Sequence, residues 1–561
     1  MAALDKTLKY VINFFNRPIL FMSFHLKTTI ILLGVLYLAL SISMTLRDYP
    51  IPYVHDEFAY LLGADTFAHG KLANPTHEHW RHFESFHILH QPTYQSKYPP
   101  ASSFFMAIGI VVTGHAIAGV WLSGFIAVIA ICWMLTLYLP RKWAVFGGFI
   151  AALHPAITFL WSQSYWGGST ALLGGALVIG GTKKLLMEWK CTGALFMGLG
   201  TTILFHSRPF EGGLLILCFF VILIFKSYYN FGSLKNLFKN FKPIILYISI
   251  CIIAVISVGL YNMALTGNLF TFPHQLWTDT YLHGNADNPR MAGYTGSDPL
   301  TFIVRFERII AFYLGLWLAL PFLLIVWPKE RPILRRLIYL LLFFIIIGHF
   351  FPQTNLMPYF LIGLVLIFQA MLMLQVAKDI WSLFLLGTVS LITLISLIYT
   401  RAWPHYLAPV APILFILISY AIMHISKYRV LGILPGKMIV PVLIIVLTIN
   451  AFTAFFNHPK EIPETWDYLS IYITPSWARE RRDLIDYLES IPGDHLIIVY
   501  YPEAYNIHCE WVYNDANIDQ ARLVWAHNLG PENNMELVSY YSDRQIWLFN
   551  PDTNQIFKYQ K

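Results

Sequence analysis

The stretch IILLGVLYLALSISMTLRDYPIPYVHDEFAY, residues 30–60, decides the class of the molecule. Residues 30–46 carry no charge, and a bilayer core about 30 Å thick is crossed by roughly 20 apolar helical residues. Arg47 and Asp48 end the run, and His55-Asp56-Glu57 follow just beyond it. The N-terminus is basic and then apolar, like a signal peptide. Residues 41–47 offer no clear small-x-small cleavage site, so the segment is read as a retained first span.

The same pattern repeats outward. The 561 residues are 57% hydrophobic and only 12% charged, about half the charge of a soluble domain. Further apolar runs, such as residues 337–347, continue along the chain. Taking the usual span length, we expect about thirteen transmembrane helices, starting near residues 27, 102, 143, 169, 192, 211, 243, 309, 335, 358, 380, 405 and 438. Residues 101–139 are too long for one simple span and read as a short interfacial helix plus a span, or as extra crossings.

The formal charge of +7 does not indicate nucleic-acid binding, because the basic residues sit in short loops and form no stripe with interleaved aromatics. The five cysteines show no CxxC or Cys/His spacing, so neither a disulfide framework nor a structural zinc site is expected. No internal repeat stands out, which counts against an inverted-repeat transporter.

The expected organisation is a membrane part, residues 1–456, with long loops at 48–100 and 261–308. A smaller α/β unit follows at 457–561. In that tail residues 477–490 look helical, Pro492-Gly493 is a turn, and 495–501 and 545–549 read as strands. Residues 518–527 suggest a second helix.

Several polar groups lie at expected membrane depth. The Asp56-Glu57 pair, with Tyr60 after it, is either a solvated interfacial pair or a general base that takes a proton from an attacking hydroxyl. Lys97-Tyr98-Pro99-Pro100 forces a non-helical entry to the next span. It holds Lys97 at the interface, as a phosphate ligand or as a snorkelling lysine. Arg208 and Glu211 sit between two short apolar runs, as a functional site or as a structural pair at a helix break. Arg401, His405 and Tyr406 form a late hairpin that is otherwise an ordinary aromatic anchor. The loop histidines, with His77, His79 and Glu84 the best-placed set, could ligate a divalent metal, although no compact zinc pattern is present.

Together these pieces resemble the polyprenyl-phosphate-sugar glycosyltransferases of the GT-C fold, in particular bacterial relatives of protein O-mannosyltransferases and of the lipid A aminoarabinose transferase. The resemblance rests on Asp56-Glu57-x-x-Tyr60, on Lys97-Tyr98-Pro99-Pro100, and on His405-Tyr406 with Pro409 after them. Residues 164–168, 207–212 and 510–514 look like one bacterial subgroup of unknown acceptor. The resemblance implies an all-α polytopic membrane protein with a small C-terminal α/β domain, in a bacterial inner membrane, acting as an inverting glycosyltransferase. Asp56 would be the catalytic carboxylate and Glu57 its neighbour. Lys97 would bind the donor phosphate, with Tyr60, Tyr98, Arg208, Glu211, Arg401, His405 and Tyr406 as further substrate contacts. The donor would be a polyprenyl-phosphate-linked sugar. The acceptor is a lipid, glycan or protein not specified by the motifs. No cofactor is required, and a divalent metal is compatible. One departure stands out: many relatives carry a second acid in the next loop, where this chain reads Trp161-Ser162-Gln163-Ser164-Tyr165-Trp166. Either Glu211 substitutes, or the site is built differently, or transfer has been lost. A transporter or flippase of an anionic substrate is the rival reading.

With the N-terminus in the cytoplasm, 21 basic residues fall in cytoplasmic pieces and nine in the opposite-side loops before the tail, as the positive-inside rule requires. Cysteine labelling from outside the membrane is therefore expected to reach residues placed in the 474–559 segment. Labelling confined to the cytoplasmic side would reverse the topology.

Overall fold

The computed structural model describes residues 2–231, 241–281, 302–314, 380–399, 403–427, 438–456, 474–502 and 505–559. The described elements are numbered here in chain order. Among them six helices are long and apolar enough to cross a membrane, or seven if a bent pair counts as one span. The expected count of about thirteen is therefore not reached among the described residues. The expected starts at 335 and 358 lie outside them.

Helices α1 (Ala2–Phe24) and α2 (Leu26–Arg47) lead into α3 (His55–Ala68), which begins the first long loop. Residues 101–139 resolve into a hairpin of α4 (Ala101–Thr113) and the full-length span α5 (Ala116–Tyr138). The two helices touch backbone to backbone. A Cβ on Gly119 would lie 1.9 Å from the Phe105 carbonyl oxygen, and one on Gly109 would lie 2.4 Å from the Gly119 nitrogen. Small residues let membrane helices approach this closely where lipid gives no hydrophobic drive to associate.

Helix α6 (Arg141–Ala152) continues after a 40° bend into residues 155–163, which begin as a π-helical turn. Then come α7 (Ser169–Glu188), α8 (Cys191–Phe205), α9 (Pro209–Phe231) and α10 (Lys242–Thr266). Short α11 (Pro273–Tyr281) and α12 (Phe302–Tyr313) follow, then α13 (Ile380–Tyr399), α14 (Ala411–Ile425) and α15 (Ile439–Phe456). A large apolar cluster spans α2, α5, α6, α7, α9, α13 and α14. A Cβ on Gly175 of α7 would sit 1.9 Å from the Pro409 carbonyl oxygen. This close seat fixes the turn that carries His405 and Tyr406.

The C-terminal unit holds α16 (Ser476–Ser490), β4 (His495–Val499), β5 (Leu523–His527), α17 (Pro531–Tyr540), β6 (Gln545–Asn550) and β7 (Gln555–Lys558). Its sheet runs β5-β4-β6-β7, with β4 parallel to β5 and β6, and β7 antiparallel to β6. The helix expected over 518–527 is corrected. Only Ile518–Gln520 form a 3-10 turn, and 523–527 form edge strand β5. The run Leu523-Val524-Trp525-Ala526-His527 is too short to build an amphipathic helix, and β4 offers it a full parallel ladder. Asn514 completes the other edge: its side chain accepts from the Trp525 N–H at 2.8 Å and donates to the Trp525 carbonyl at 2.9 Å.

The tail does not stand apart from the first loop. Phe58, Leu62, Phe83, Ile88 and Tyr94 of the loop share one apolar cluster with Leu496, Ile498, Tyr513, Val524 and Ile546 of the tail. The loop adds a small antiparallel sheet of β1 (Asn74–Pro75), β2 (Ile88–Leu89) and β3 (Thr93–Ser96), in the order β1-β3-β2. Loop and tail thus share one apolar core.

Gly119→Ala is expected to push α4 from α5 and to lower the melting temperature in detergent, at a cost of about 1–3 kcal/mol or more for overpacking. Gly213→Ala, where a Cβ meets nothing within 4 Å, is the control expected to show no loss. Equal melting temperatures for the two would refute the close packing.

Candidate functional site

Two contacts bring the first loop to the membrane helices. Ser103 of α4 donates to the Tyr60 carbonyl of α3 at 2.8 Å. After Pro99-Pro100, the Ala101 N–H donates to the His206 carbonyl at the end of α8, also at 2.8 Å. The double proline cannot donate from its own nitrogens, so the chain turns there and sets Lys97 near the α8–α9 break.

The N-terminus of α3 is held by Glu57. Its Oε2 accepts from the N–H groups of Tyr53 (2.9 Å) and Val54 (3.4 Å), and its Oε1 accepts from that of Tyr165 (3.0 Å). The residue is 1% exposed. Burial pushes its carboxyl up to about 7 against the pull of those three donors. Glu57 is not among the residues that line the cavity beside it; its carboxylate is taken up by backbone N–H groups, as a staple at the start of α3. A helix turns about 100° per residue, so fixing Glu57 inward sends Asp56 one way and His55 another. His55 Nδ1 meets the Tyr513 hydroxyl of the tail at 2.6 Å, and its buried Nε2 has no hydrogen-bond partner. Burial, then the nearby His87 and His508, hold its imidazole well below the usual range, so it is neutral.

Asp56 faces a cavity of about 1370 Å³. The Tyr98 hydroxyl donates to Oδ1 at 2.5 Å. His87 Nδ1 lies 3.4 Å from Oδ2 and 2.9 Å from the Tyr98 oxygen. Burial would raise the Asp56 carboxyl, but the charge of His87, the hydrogen bonds from His87 and Tyr98, and the charge of Lys97 outweigh it. Together they hold Asp56 well below the usual carboxylate range, so Asp56 is ionised at neutral pH. Lys97, 4% exposed, lies with Nζ 3.4 Å from the ring centre of Trp277 on α11. A desolvated cation on an indole face is worth about 2 kcal/mol or more.

The same cavity gathers most of the residues singled out in the sequence: Tyr60, Lys97, Tyr98, Arg208, Glu211, His405 and Tyr406. Tyr60 stacks on Tyr98 with ring centres 4.7 Å apart. Arg208 lies over the Tyr406 ring at 4.5 Å. Glu211 is buried on the first turn of α9, and no ion pair within 4 Å joins it to Arg208 among the described residues. His405 is buried against Trp166 at 4.6 Å, and its Nδ1 has no hydrogen-bond partner. Arg401 lies outside the described residues. Among the described lining residues Lys97, Arg208 and Arg305 face only two carboxylates, Asp56 and Glu211, which suits an anionic ligand.

The loop without a second acid is used structurally. Gln163 Nε2 donates to the Ser41 carbonyl at 3.0 Å, and its Oε1 accepts from Thr45 at 2.8 Å. The metal set also fails to assemble. His77 Nε2 is 3.1 Å from Asp519 of the tail, while Glu84 lines a separate cavity with His79 and His82. Among the described residues no three His, Cys, Asp or Glu side chains converge to hold an ion.

Sequence reasoning overlooked His87 as a site residue, as it did Trp277 and the tail residues Asn506, His508 and Cys509, all of which line the cavity. Their only signal was the histidine-rich, aromatic composition of their segments.

No family model matches the sequence, and no curated protein matches it. Solved structures do. The oligosaccharyltransferase of Archaeoglobus fulgidus, in complex with Zn and sulfate, matches at 11% identity with a TM-score of 0.46, over 93% of this chain and 67% of its own. The archaeal oligosaccharyltransferase AglB from Archaeoglobus fulgidus, in complex with an inhibitory peptide and a dolichol-phosphate, matches at 11% identity and 0.42, over 94% and 70%. An Archaeoglobus fulgidus oligosaccharyltransferase tethered to an acceptor peptide with the NVT sequon gives 10% and 0.41, over 94% and 69%. At these values no residue role is transferred from them.

Glu57→Gln is expected to lower the melting temperature, because the amide Nε2 would face backbone donors and leave at least one buried N–H unsatisfied, at about 1–3 kcal/mol. The Glu57 carboxyl is raised on folding, so its contribution to stability is full below the unfolded value and is lost as pH rises through about 7. The Gln variant should therefore have a flatter stability profile between about pH 4.5 and 7. An unchanged melting temperature and pH profile would remove the staple.

Proposed function

We propose that the chain is a membrane glycosyltransferase that moves a sugar from a polyprenyl-phosphate donor to an acceptor hydroxyl, with inversion, on the non-cytoplasmic face. The observation that carries this reading is the ionised Asp56 in one cavity with Lys97 and Arg208, flanked by apolar helix surface. Phe205, Phe210, Val258 and Ile398 supply that flank from α8, α9, α10 and α13. A lipid phosphate needs both environments, cations for the headgroup and hydrocarbon for the tail.

In this reading the acceptor oxygen attacks the anomeric carbon from the face opposite the phosphate. The carbon–oxygen bond to phosphate breaks as the new glycosidic bond forms. Lys97 and Arg208 stabilise the charge that develops on the departing polyprenyl phosphate. Asp56 orients the hydroxyl and takes its proton. Tyr60, Tyr98, His405 and Tyr406 would shape the sugar site. The sequence resemblance supports the same assignment, including a bacterial inner-membrane location.

Purified protein supplied with a labelled polyprenyl-phosphate sugar is expected to release polyprenyl phosphate. Asp56→Asn keeps the shape and should reduce turnover about 10²–10⁴-fold, while Lys97→Ala should weaken donor binding as well as turnover. A correctly inserted Asp56→Asn protein with wild-type turnover would refute the mechanism. Movement of the intact donor across vesicles, without release, would favour a flippase.

A further inference from the structure

The contacts around Asp56 converge on one residue outside the set named so far as catalytic or substrate-binding. His87 has φ of +64°, a left-handed conformation that is uncommon for a residue with a side chain. Such backbone geometry persists only where its surroundings impose it. Here the His87 carbonyl accepts the Lys97 N–H at 3.1 Å, and Ile88 next to it pairs with Ser96 in the β2–β3 ladder. The ladder thus fixes the backbone that carries Lys97 and the backbone that carries His87 as one unit. The imidazole is then aimed back at α3, between Asp56 Oδ2 and the Tyr98 oxygen. Its far side meets the edge of Trp277, with ring centres 5.2 Å apart, and Trp277 is the ring on which Lys97 rests.

We propose that His87 is a positioning residue of this site, fixing the Asp56 carboxylate directly and through Tyr98 in a set geometry relative to Lys97. The Tyr98 hydroxyl has one proton, and it donates this to Asp56. Nδ1 of His87 must therefore be the donor in its own short contacts, with the proton on that nitrogen. Both carboxylate oxygens are engaged, and rotation of the Asp56 side chain would break one bond or the other. The strained backbone supplies what an ordinary rotamer could not, a donor arriving from the neighbouring strand on the same side as the phosphate-binding lysine.

The surrounding charges are consistent with a carboxylate kept ionised. From the first loop Lys97, His55 and Tyr98 face Asp56 and His87. Arg208 at the α8–α9 break, His274 of α11, His405 and Tyr406 before α14, Tyr60 of α3 and His508 of the tail complete the surroundings. Of these groups, His87 makes the closest charge contact to Asp56 and ranks first among those that lower its carboxyl.

That Asp56 is catalytic rests on the proposed transferase reading; that His87 holds it does not, and the test is chosen accordingly. A hydrophobic carbodiimide reacts with carboxyls in their protonated form, and a quarter of the Asp56 side chain is exposed to the cavity. The full-length protein in lipid nanodiscs would be treated with dicyclohexylcarbodiimide across pH 4–8, with the modification of Asp56 read by peptide mass spectrometry. Wild-type Asp56 should stay unmodified across this range. His87→Gly keeps the left-handed backbone and removes the donor, so modification should appear at the acid end of the range. His87→Asn places an amide donor near the position of Nδ1 and tolerates the same backbone, so its modification should fall between the two. Tyr98→Phe, which removes the other donor, should shift in the same direction and serves if the glycine variant fails to fold. Superimposed wild-type and His87→Gly profiles would overturn the proposal. So would a rise that His87→Asn does not reduce, since that would report a loosened fold and not a lost donor. Failure to release polyprenyl phosphate would count against the transferase reading and leave this measurement unaffected.

Discussion

Three backbone N–H groups converging on the Glu57 carboxylate set the orientation of everything around it. Here a buried side chain from the first turn of α3 collects the N–H of the N-cap residue Val54, that of Tyr53 before it, and that of Tyr165 ahead of α7. That bond set fixes the rotation of α3 about its axis. Once it is fixed, Asp56 faces the cavity and His55 faces the tail. The staple therefore couples a membrane helix break, a loop helix and the C-terminal unit at a single carboxylate. Its cost is a buried acid, only partly offset by those hydrogen bonds, since burial still raises the carboxyl to about 7.

The cavity beside it is organised by contrast. Asp56 is surrounded by donors and cations, while the cations themselves rest on aromatic faces: Lys97 on Trp277, Arg208 on Tyr406. A ring gives a guanidinium or ammonium some stabilisation without neutralising it. Polar and apolar groups meet at the α8–α9 break, where Phe205 and Phe210 flank Arg208.

How much of this was legible in the sequence varies by residue. The apolar runs place nine of the expected helix starts within two residues, because a bilayer leaves little choice of structure, but those at 309 and 405 miss the helices at Phe302 and Ala411. The acidic pair drew attention to the correct segment, but adjacency could not say which acid would be spent on backbone. That depended on Tyr165, more than a hundred positions away. Lys97, Arg208 and Tyr406 were readable as ions and aromatics at membrane depth. His87 was lost among other loop histidines, since its role comes from a backbone torsion that leaves no compositional mark. In the tail, Leu523–His527 was misread because an isolated apolar pentapeptide has no decisive period. Its partner strand and the Asn514 side chain, which make it a strand, are non-local.

The apolar core shared by the first loop and the tail bears on how the molecule is made. His55 and Tyr513, which hydrogen-bond across it, are 458 residues apart. Synthesis runs from the N-terminus at about 5–20 residues per second, so the loop emerges tens of seconds before the strands that cover Phe58, Phe83 and Ile88. For that interval half a core faces solvent, and its closure has the long sequence separation that makes contacts slow to form. The cavity gains its last wall, Asn506 to Cys509, only when the tail docks. A ribosome that stops before the tail leaves a chain with an open, sticky loop and an unfinished site.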